Sequence, residues 1–401
     1  MKILQYCQHV LGIGHFFRTL EICRALSGHE VVLVTGGARI DINLPSHIQE
    51  VSLPSLLMDK EFKNLSTGEK ENSVLEIKQE RRRALFKLYK ETAPDLFMIE
   101  LYPFGRNAFS FEIEPVLKGI QYHILKPARI VCSLRDILVD KKKYTPSYEA
   151  RVVSSLNRYF DALLVHADPT LLKLDETFSR VNAITIPVVY TGFVTPAPPA
   201  GARAKIRKKL GIKDAEPFIV ASLGGGRVGE ALLEAVIKAF KRLGSLNRGC
   251  LQVFAGPLMN PKKFGRMEGY SDERIHVARF TPDFLSYLAA ADLSVSMAGY
   301  NTCMNVLAAG VPALVWPFSQ NREQRLRAER LASAGSLKVL SENDINPGRL
   351  AAIMEKTLSQ PARIERPVDL NGAANTAKWI ADWMKAGEGS GVGGRGSGIR
   401  V

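Results

Sequence analysis

Three short stretches pair glycine with residues able to move protons or grip oxygen atoms. The first reads Gly12-Ile13-Gly14-His15-Phe16-Phe17-Arg18. Glycine lets the backbone turn tightly and approach a ligand closely. The helix expected next offers free N–H groups and the positive end of its dipole. His15 stands where turn becomes helix, and its near-neutral pKa suits it to take a proton from an acceptor hydroxyl. A structural histidine capping the turn explains the stretch equally well. The second, Ser222-Leu223-Gly224-Gly225-Gly226-Arg227, is a glycine loop with a basic residue before a helix, a plausible phosphate cradle. It lacks the Lys-Ser/Thr ending of a P-loop and the G-x-G-x-x-G dinucleotide fingerprint, which argues against ATP hydrolysis and against a dehydrogenase. A plain strand-to-helix turn is the competing account.

The third stretch runs from Ser296-Met297-Ala298-Gly299-Tyr300-Asn301-Thr302 through Asn305 to Gly310-Val311-Pro312. It continues through Trp316-Pro317-Phe318 to Asn321-Arg322-Glu323-Gln324. Gly299 allows a sharp turn, Asn301 and Thr302 can cap the helix after it, and Glu323 and Gln324 offer paired groups suited to sugar hydroxyls. Carboxylates that could orient His15 or act directly stand at strand ends. Glu100 closes the apolar run Phe97-Met98-Ile99, and Asp136 follows Arg135 after another. Ion pairs at loop ends account for them about as well. Glu100 ranks first because so apolar a strand seldom ends in an acid.

The elements that must position these residues alternate short apolar runs with amphipathic stretches, the pattern of parallel sheets wrapped by helices. Strands are expected over residues 1–7, 30–35, 96–100, 129–133, 162–166 and 183–187, with helices over 16–26 and 74–92. At Thr195-Pro196-Ala197-Pro198-Pro199-Ala200-Gly201 the composition changes abruptly, and the α/β pattern then restarts. Strands follow over 218–223, 252–255, 275–277, 293–296 and 313–315, with a helix over 230–243. The expected organisation is a first Rossmann-like domain over residues 1–194, a proline-rich linker over 195–204 and a second domain over 205–370. A helix over 371–386 and a disordered glycine-rich tail over 387–401 follow.

Residues 297–328 resemble the donor-binding segment of glycosyltransferase family 28 and its MurG-like, plant and macrolide relatives. They share a turn of the form x-x-G-x-N-T/S, then a helix, G-x-P, P-F and a D/E-Q pair. Gly12, Gly14, His15 and Arg18 are similar to that family's glycine loop, whose histidine faces the acceptor. The resemblance implies a GT-B fold of two Rossmann-like parallel-sheet domains facing across a cleft, with the final helix crossing back to the first. It implies diphosphate held by Gly225, Gly226, Arg227, Gly299, Tyr300, Asn301 and Thr302. The base would lie against the backbone at Phe280 and Thr281, and the sugar on Glu323 and Gln324. It implies no metal and no cofactor, because helix N-termini and Arg227 can stabilise the leaving diphosphate. One position departs from the pattern: the glutamate that grips the ribose is Asn305 here, and an uncharged amide holds a hydroxyl less strongly.

The reading is an inverting hexosyltransferase that uses a nucleoside diphosphate sugar, UDP-linked, with His15, Glu100 or Asp136 handling the acceptor proton. Its rivals are a nucleotide-sugar hydrolase of the PseG-like type, which has a similar G-x-G-H loop, and a non-catalytic nucleotide-sugar-binding subunit. The long stretch over residues 53–92 suggests a real acceptor site and favours transfer. Bulk properties agree with a globular enzyme: 401 residues, 46% hydrophobic and 23% charged. The net charge of +14 favours an anionic partner. Arg81-Arg82-Arg83 with Lys87 and Lys90, and Lys141-Lys142-Lys143, could touch anionic lipid, although solvated faces are the commoner explanation. No aromatic-interleaved basic motif points to nucleic acid. Five scattered cysteines without a C-x-x-C pair fit a reducing compartment. With no secretory h-region and no apolar run of about 18 residues, a cytoplasmic protein is expected, in peripheral contact with the membrane at most.

Overall fold

The computed structural model describes residues 1–8, 14–37, 42–58, 65–66, 73–138, 145–243, 249–359 and 368–389. The first half contains β1 (Lys2–Tyr6), α1 (Gly14–Ala25), β2 (Glu30–Thr35), β3 (Ile48–Ser52), β4 (Leu57–Met58) and β5 (Leu65–Ser66). It continues with α2 (Val74–Thr92), β6 (Leu96–Glu100), α3 (Ser110–Gln121), β7 (Arg129–Arg135), α4 (Pro146–Tyr159), β8 (Ala162–His166) and β9 (Val188–Tyr190). Apart from the small β4–β5 hairpin, these strands form one parallel sheet in the order β3-β2-β1-β6-β7-β8-β9. Buried on both faces, β1, β2, β6, β7 and β8 are nearly continuous apolar runs.

The second half contains α5 (Ala202–Lys209), β10 (Phe218–Ser222), α6 (Glu230–Phe240), β11 (Cys250–Phe254), α7 (Pro261–Glu268), β12 (Ile275–Ala278) and α8 (Phe284–Ala290). After these come β13 (Leu293–Met297), α9 (Tyr300–Ala309), β14 (Ala313–Trp316), α10 (Arg322–Ser333), β15 (Lys338–Val339), α11 (Pro347–Ser359) and α12 (Gly372–Gly389). Its parallel sheet has the order β12-β11-β10-β13-β14-β15. In each sheet the strand order reverses once, between β1 and β6 and between β10 and β13. A doubly wound sheet opens a crevice at that reversal, beyond the carboxyl ends of the strands.

Two chain segments run between the halves, and they are zipped together. Phe193 N–H donates to Asp369 O (2.7 Å), Gly372 N–H donates to Phe193 O (2.9 Å), and Val194 bridges Asn371. Gly372 lies so close to the other segment that a Cβ there would stand 2.4 Å from Gly192 O. Beyond this crossing α12 packs on α1. Ile380 shares a buried cluster with Ile3, Phe16 and Leu20, and Trp379 stacks on Trp383 at 4.8 Å.

Several elements differ from the sequence expectation. Residues 181–183 form a 3-10 turn rather than the start of a strand, and β9 begins only after Pro187, which has no N–H to give a ladder. The short edge strands β3 and β15 were not anticipated, because their polar composition carries no core signal. The last helix runs through Gly389, past the expected boundary at residue 386. Lys141 to Lys143 and residues 390–401 lie outside the described residues. Among the described residues no helix is long and apolar enough to cross a membrane. Arg81, read as part of a solvated or lipid-facing run, is fully buried. It clasps Glu112 through Nε (2.7 Å) and Nη2 (2.6 Å), and Tyr6 donates its hydroxyl to the same carboxylate.

Candidate active site

At the first crevice the turn after β1 meets the end of β6. His15 and Arg18 stand three apart in the opening turn of α1 and so share one face. Glu100, the last residue of β6, is fully buried and receives both. Its Oε1 lies 2.6 Å from His15 Nδ1 and accepts from Arg18 Nη2 at 2.5 Å. Burial works to raise the Glu100 carboxyl, but His15, Arg106 and Arg18 outweigh it and hold the group well below the ordinary carboxylate range. An ionised Glu100 can only accept, which assigns the hydrogen to Nδ1 of His15 and leaves Nε2 with its lone pair. Burial lowers the His15 pKa to about 3 against the opposing pull of Glu100. The resting imidazole is therefore neutral, oriented by a carboxylate and able to accept a proton at Nε2.

Arg106 completes the cluster. Its Nε stands 3.5 Å from Glu100 Oε2, and its side chain is only 9% exposed. His166 lies on β8, fully buried, and links Ser133 (2.7 Å from Nε2) to Thr191 (2.8 Å from Nδ1). Burial lowers its pKa to about 3 as well. Closed in on all sides, it serves the sheet rather than a ligand.

At the second crevice the turns after β10 and β13 converge. The Thr302 hydroxyl stands 3.6 Å from a Cβ built on Gly224 and 3.9 Å from one built on Gly299. Gly226 has φ +83°, and a Cβ on it would stand 2.3 Å from Ala255 O, so only glycine lets this loop lie against the β11 turn. Gly225 O accepts from Leu258 N–H (2.9 Å), and Arg227 is exposed. The start of α6 is faced by its own Glu230, which is tied to Lys263 and Arg266. The start of α9 has no acid in its first turn, which leaves it the better anion site of the two. Phe280 is 49% exposed beyond β12, and Thr281 Oγ1 accepts from Asp283 N–H.

The two crevices face each other, and several expected ligand residues are spent on joining them. Asn301 Nδ2 donates to Gly14 O (3.1 Å), and Val194 N–H donates to the Tyr300 hydroxyl (3.0 Å). The Tyr300 ring is flanked by the Arg18 and Arg327 guanidiniums, each 5.4 Å from its centroid. Glu323 takes Arg135 Nη2 on both oxygens (2.6 and 2.5 Å). Gln324 Oε1 accepts from Phe318 N–H (3.0 Å).

Two sequence expectations change here. Asp136 is engaged elsewhere than at His15: both its oxygens hold Arg327 across the cleft (2.6 and 2.9 Å). Asn305 accepts from the Thr195 hydroxyl (3.0 Å), so in this structure it holds the linker. Gly12 lies outside the described residues. Sequence reasoning did not single out Arg106 or Arg327. A basic residue directly after glycine, six positions past a strand-end acid, was the one signal for Arg106.

The similarity to known proteins is concentrated in the second half. Residues 219–382 match the glycosyltransferase family 28 C-terminal domain. A UDP-N-acetylglucosamine--N-acetylmuramyl-(pentapeptide) pyrophosphoryl-undecaprenol N-acetylglucosamine transferase of Caldicellulosiruptor saccharolyticus is 28% identical over 167 residues. That match covers 40% of this chain and 44% of that one, so the chain spans less than half the length of this relative. Among solved structures, Acinetobacter baumannii MurG superposes with a TM-score of 0.55 at 15% identity, covering 96% of this chain and 100% of that one. The UDP-GlcNAc 2-epimerase of Methanocaldococcus jannaschii superposes with a TM-score of 0.60 at 11% identity, covering 96% and 100%. The fold is GT-B: two parallel-sheet α/β domains facing across a cleft.

Proposed function

We propose that this GT-B protein is an inverting, metal-independent hexosyltransferase that uses a UDP-linked sugar and an acceptor hydroxyl. The observation that carries the proposal is the His15–Glu100 pair set directly against the donor turn, with Gly14 O bonded to Asn301 Nδ2. In this reading the acceptor hydroxyl gives its proton to His15 Nε2, and the resulting imidazolium is held by Glu100. The acceptor oxygen attacks the anomeric carbon from the face opposite the diphosphate. The bond from that carbon to the diphosphate oxygen breaks, and the diphosphate leaves with the electron pair. Gly225, Gly226, Arg227 and the start of α9 through Tyr300-Asn301-Thr302 receive its charge. The nucleotide base lies beside Phe280 and Thr281, and the sugar is gripped by Glu323 and Gln324 once Arg135 gives way.

The test is to supply UDP-sugars with a panel of hydroxyl acceptors and read the product's anomeric configuration by NMR, with and without a chelator. Transfer with inversion, unaffected by chelation, is expected, and His15→Ala is expected to cost about 10²–10⁴-fold in rate. Rapid, stoichiometric release of free sugar without acceptor would overturn transfer in favour of hydrolysis. That second reading is favoured by the same pair, since a neutral imidazole with a free Nε2 activates water as readily as an alcohol. UDP binding without turnover would instead mark a nucleotide-sugar-binding subunit, consistent with Asn305 being engaged by Thr195.

A further inference from the structure

Beside His15, one carboxylate faces two guanidiniums. Glu100 is shared by Arg18 and Arg106, and His15 is neutral, so the cluster holds an excess of one positive charge in a largely buried place. Arg18 is satisfied by Glu100 at 2.5 Å. Arg106 is not: among the described residues its Nε and Nη2 are buried without a hydrogen-bond partner, and so is Glu100 Oε2. The 3.5 Å approach of Nε to Oε2 is an ion pair without a formed hydrogen bond. Turning Nε onto that oxygen would still leave Nη2 unmatched. A buried donor left unpaired is destabilising, the more so when it is charged.

The backbone supplies a second observation. The loop after β6 holds two non-glycine residues in the left-handed region, Leu101 at φ 67° and Arg106 at φ 61°. That conformation crowds Cβ against the following carbonyl oxygen and is strained. Strain of this kind persists where the surroundings over-determine it, as at ligand clamps. Here it holds the guanidinium beside Glu100 with two adjacent N–H groups unused, in the bidentate shape that fits an oxyanion.

We infer that Arg106 binds an oxyanion carried by the acceptor, a carboxylate or phosphate close to the hydroxyl that His15 addresses. This rests on the transferase reading for the word acceptor, but not for the anion site itself. An anion there balances the excess charge, and it offsets the two guanidiniums that oppose protonation of His15. The chain's net charge of +14 draws such a ligand in.

The test uses the full chain, with calorimetric titration by inorganic phosphate, glucose 6-phosphate, glucuronate and glucose at matched ionic strength. The expected result is binding of all three anions, none detectable for glucose, and at least tenfold weaker anion binding in Arg106→Gln. Unchanged phosphate affinity in that variant overturns the inference, as does loss of phosphate binding in Arg227→Gln alone, which assigns the anion to the donor side. Binding of inorganic phosphate but of neither sugar-borne anion overturns the acceptor assignment, since the source is then free phosphate. Should Arg106→Gln fail to fold by circular dichroism, Arg106→Lys decides. It keeps the charge and loses the paired N–H groups, so unchanged binding overturns the inference and a severalfold loss supports it. UDP is titrated in parallel. Its failure to bind the wild-type protein sinks the transferase reading and leaves the anion result standing on its own.

Discussion

Glu100 orients the His15 ring and supports a proton once transferred, while burial of the ring, aided by Arg106 and Arg18, keeps it neutral beforehand. The folded pKa of His15 is depressed below its ordinary value of 6.5, so the ring stays neutral as pH falls through 6.5 and gains its proton only near 3. If His15 is the base, the acid limb of kcat/KM, which reports the free enzyme, lies well below pH 6. A limb between 6 and 7 that vanishes in Glu100→Gln would contradict this. Much of this residue-level site was legible in the sequence. A histidine where a glycine turn becomes a helix and an acid at the end of an apolar strand are each local signals, and β1 and β6 are neighbours at a strand-order reversal. For Asp136 the structure takes the ion-pair alternative, with a partner, Arg327, that lies 191 positions away in the other domain. No pattern within one segment encodes how two domains dock.

At the scale of elements, the central strands were readable because fully buried parallel strands leave continuous apolar runs. The edges were not: β3 reads Ile-Gln-Glu-Val-Ser, and β15 is two residues long. The glycine loops of the second half show why glycine spacing mattered more than glycine number. Gly226 and Gly256 lie back to back at φ +83° and +91°, each where a Cβ would strike the other's backbone. Gly226→Ala is expected to destabilise the chain by about 1–3 kcal/mol through overpacking, with further loss from the positive φ. It should also weaken UDP binding, since Gly225 and Arg227 move with the loop. Chemical denaturation and UDP titration read the two effects. Gly224→Ala meets only the Thr302 hydroxyl at 3.6 Å, so it carries the φ penalty at +66° without the clash and serves as the comparison.

At the scale of the whole molecule, the cleft is held shut by its own charged groups. Arg135 occupies Glu323, and Arg327 occupies Asp136. The two pairs differ in kind. Asp136–Arg327 is buried, whereas Arg135 and Glu323 are each about one-fifth exposed, the cheaper pair to exchange for a ligand. If Glu323 grips the sugar, Arg135 competes with it. Arg135→Ala is then expected to tighten UDP-sugar binding by up to about fivefold and leave UDP alone unchanged. Glu323→Ala is expected to weaken the sugar nucleotide selectively. Equal effects on UDP and UDP-sugar would assign the pair to domain closure only. The zipped crossing at Phe193, Val194, Asn371 and Gly372 has a mechanical consequence. Two segments fastened side by side bend readily across their common plane and resist being twisted about each other. Any parting of the domains is therefore expected to follow one arc, which would return His15 to the same turn of the facing domain.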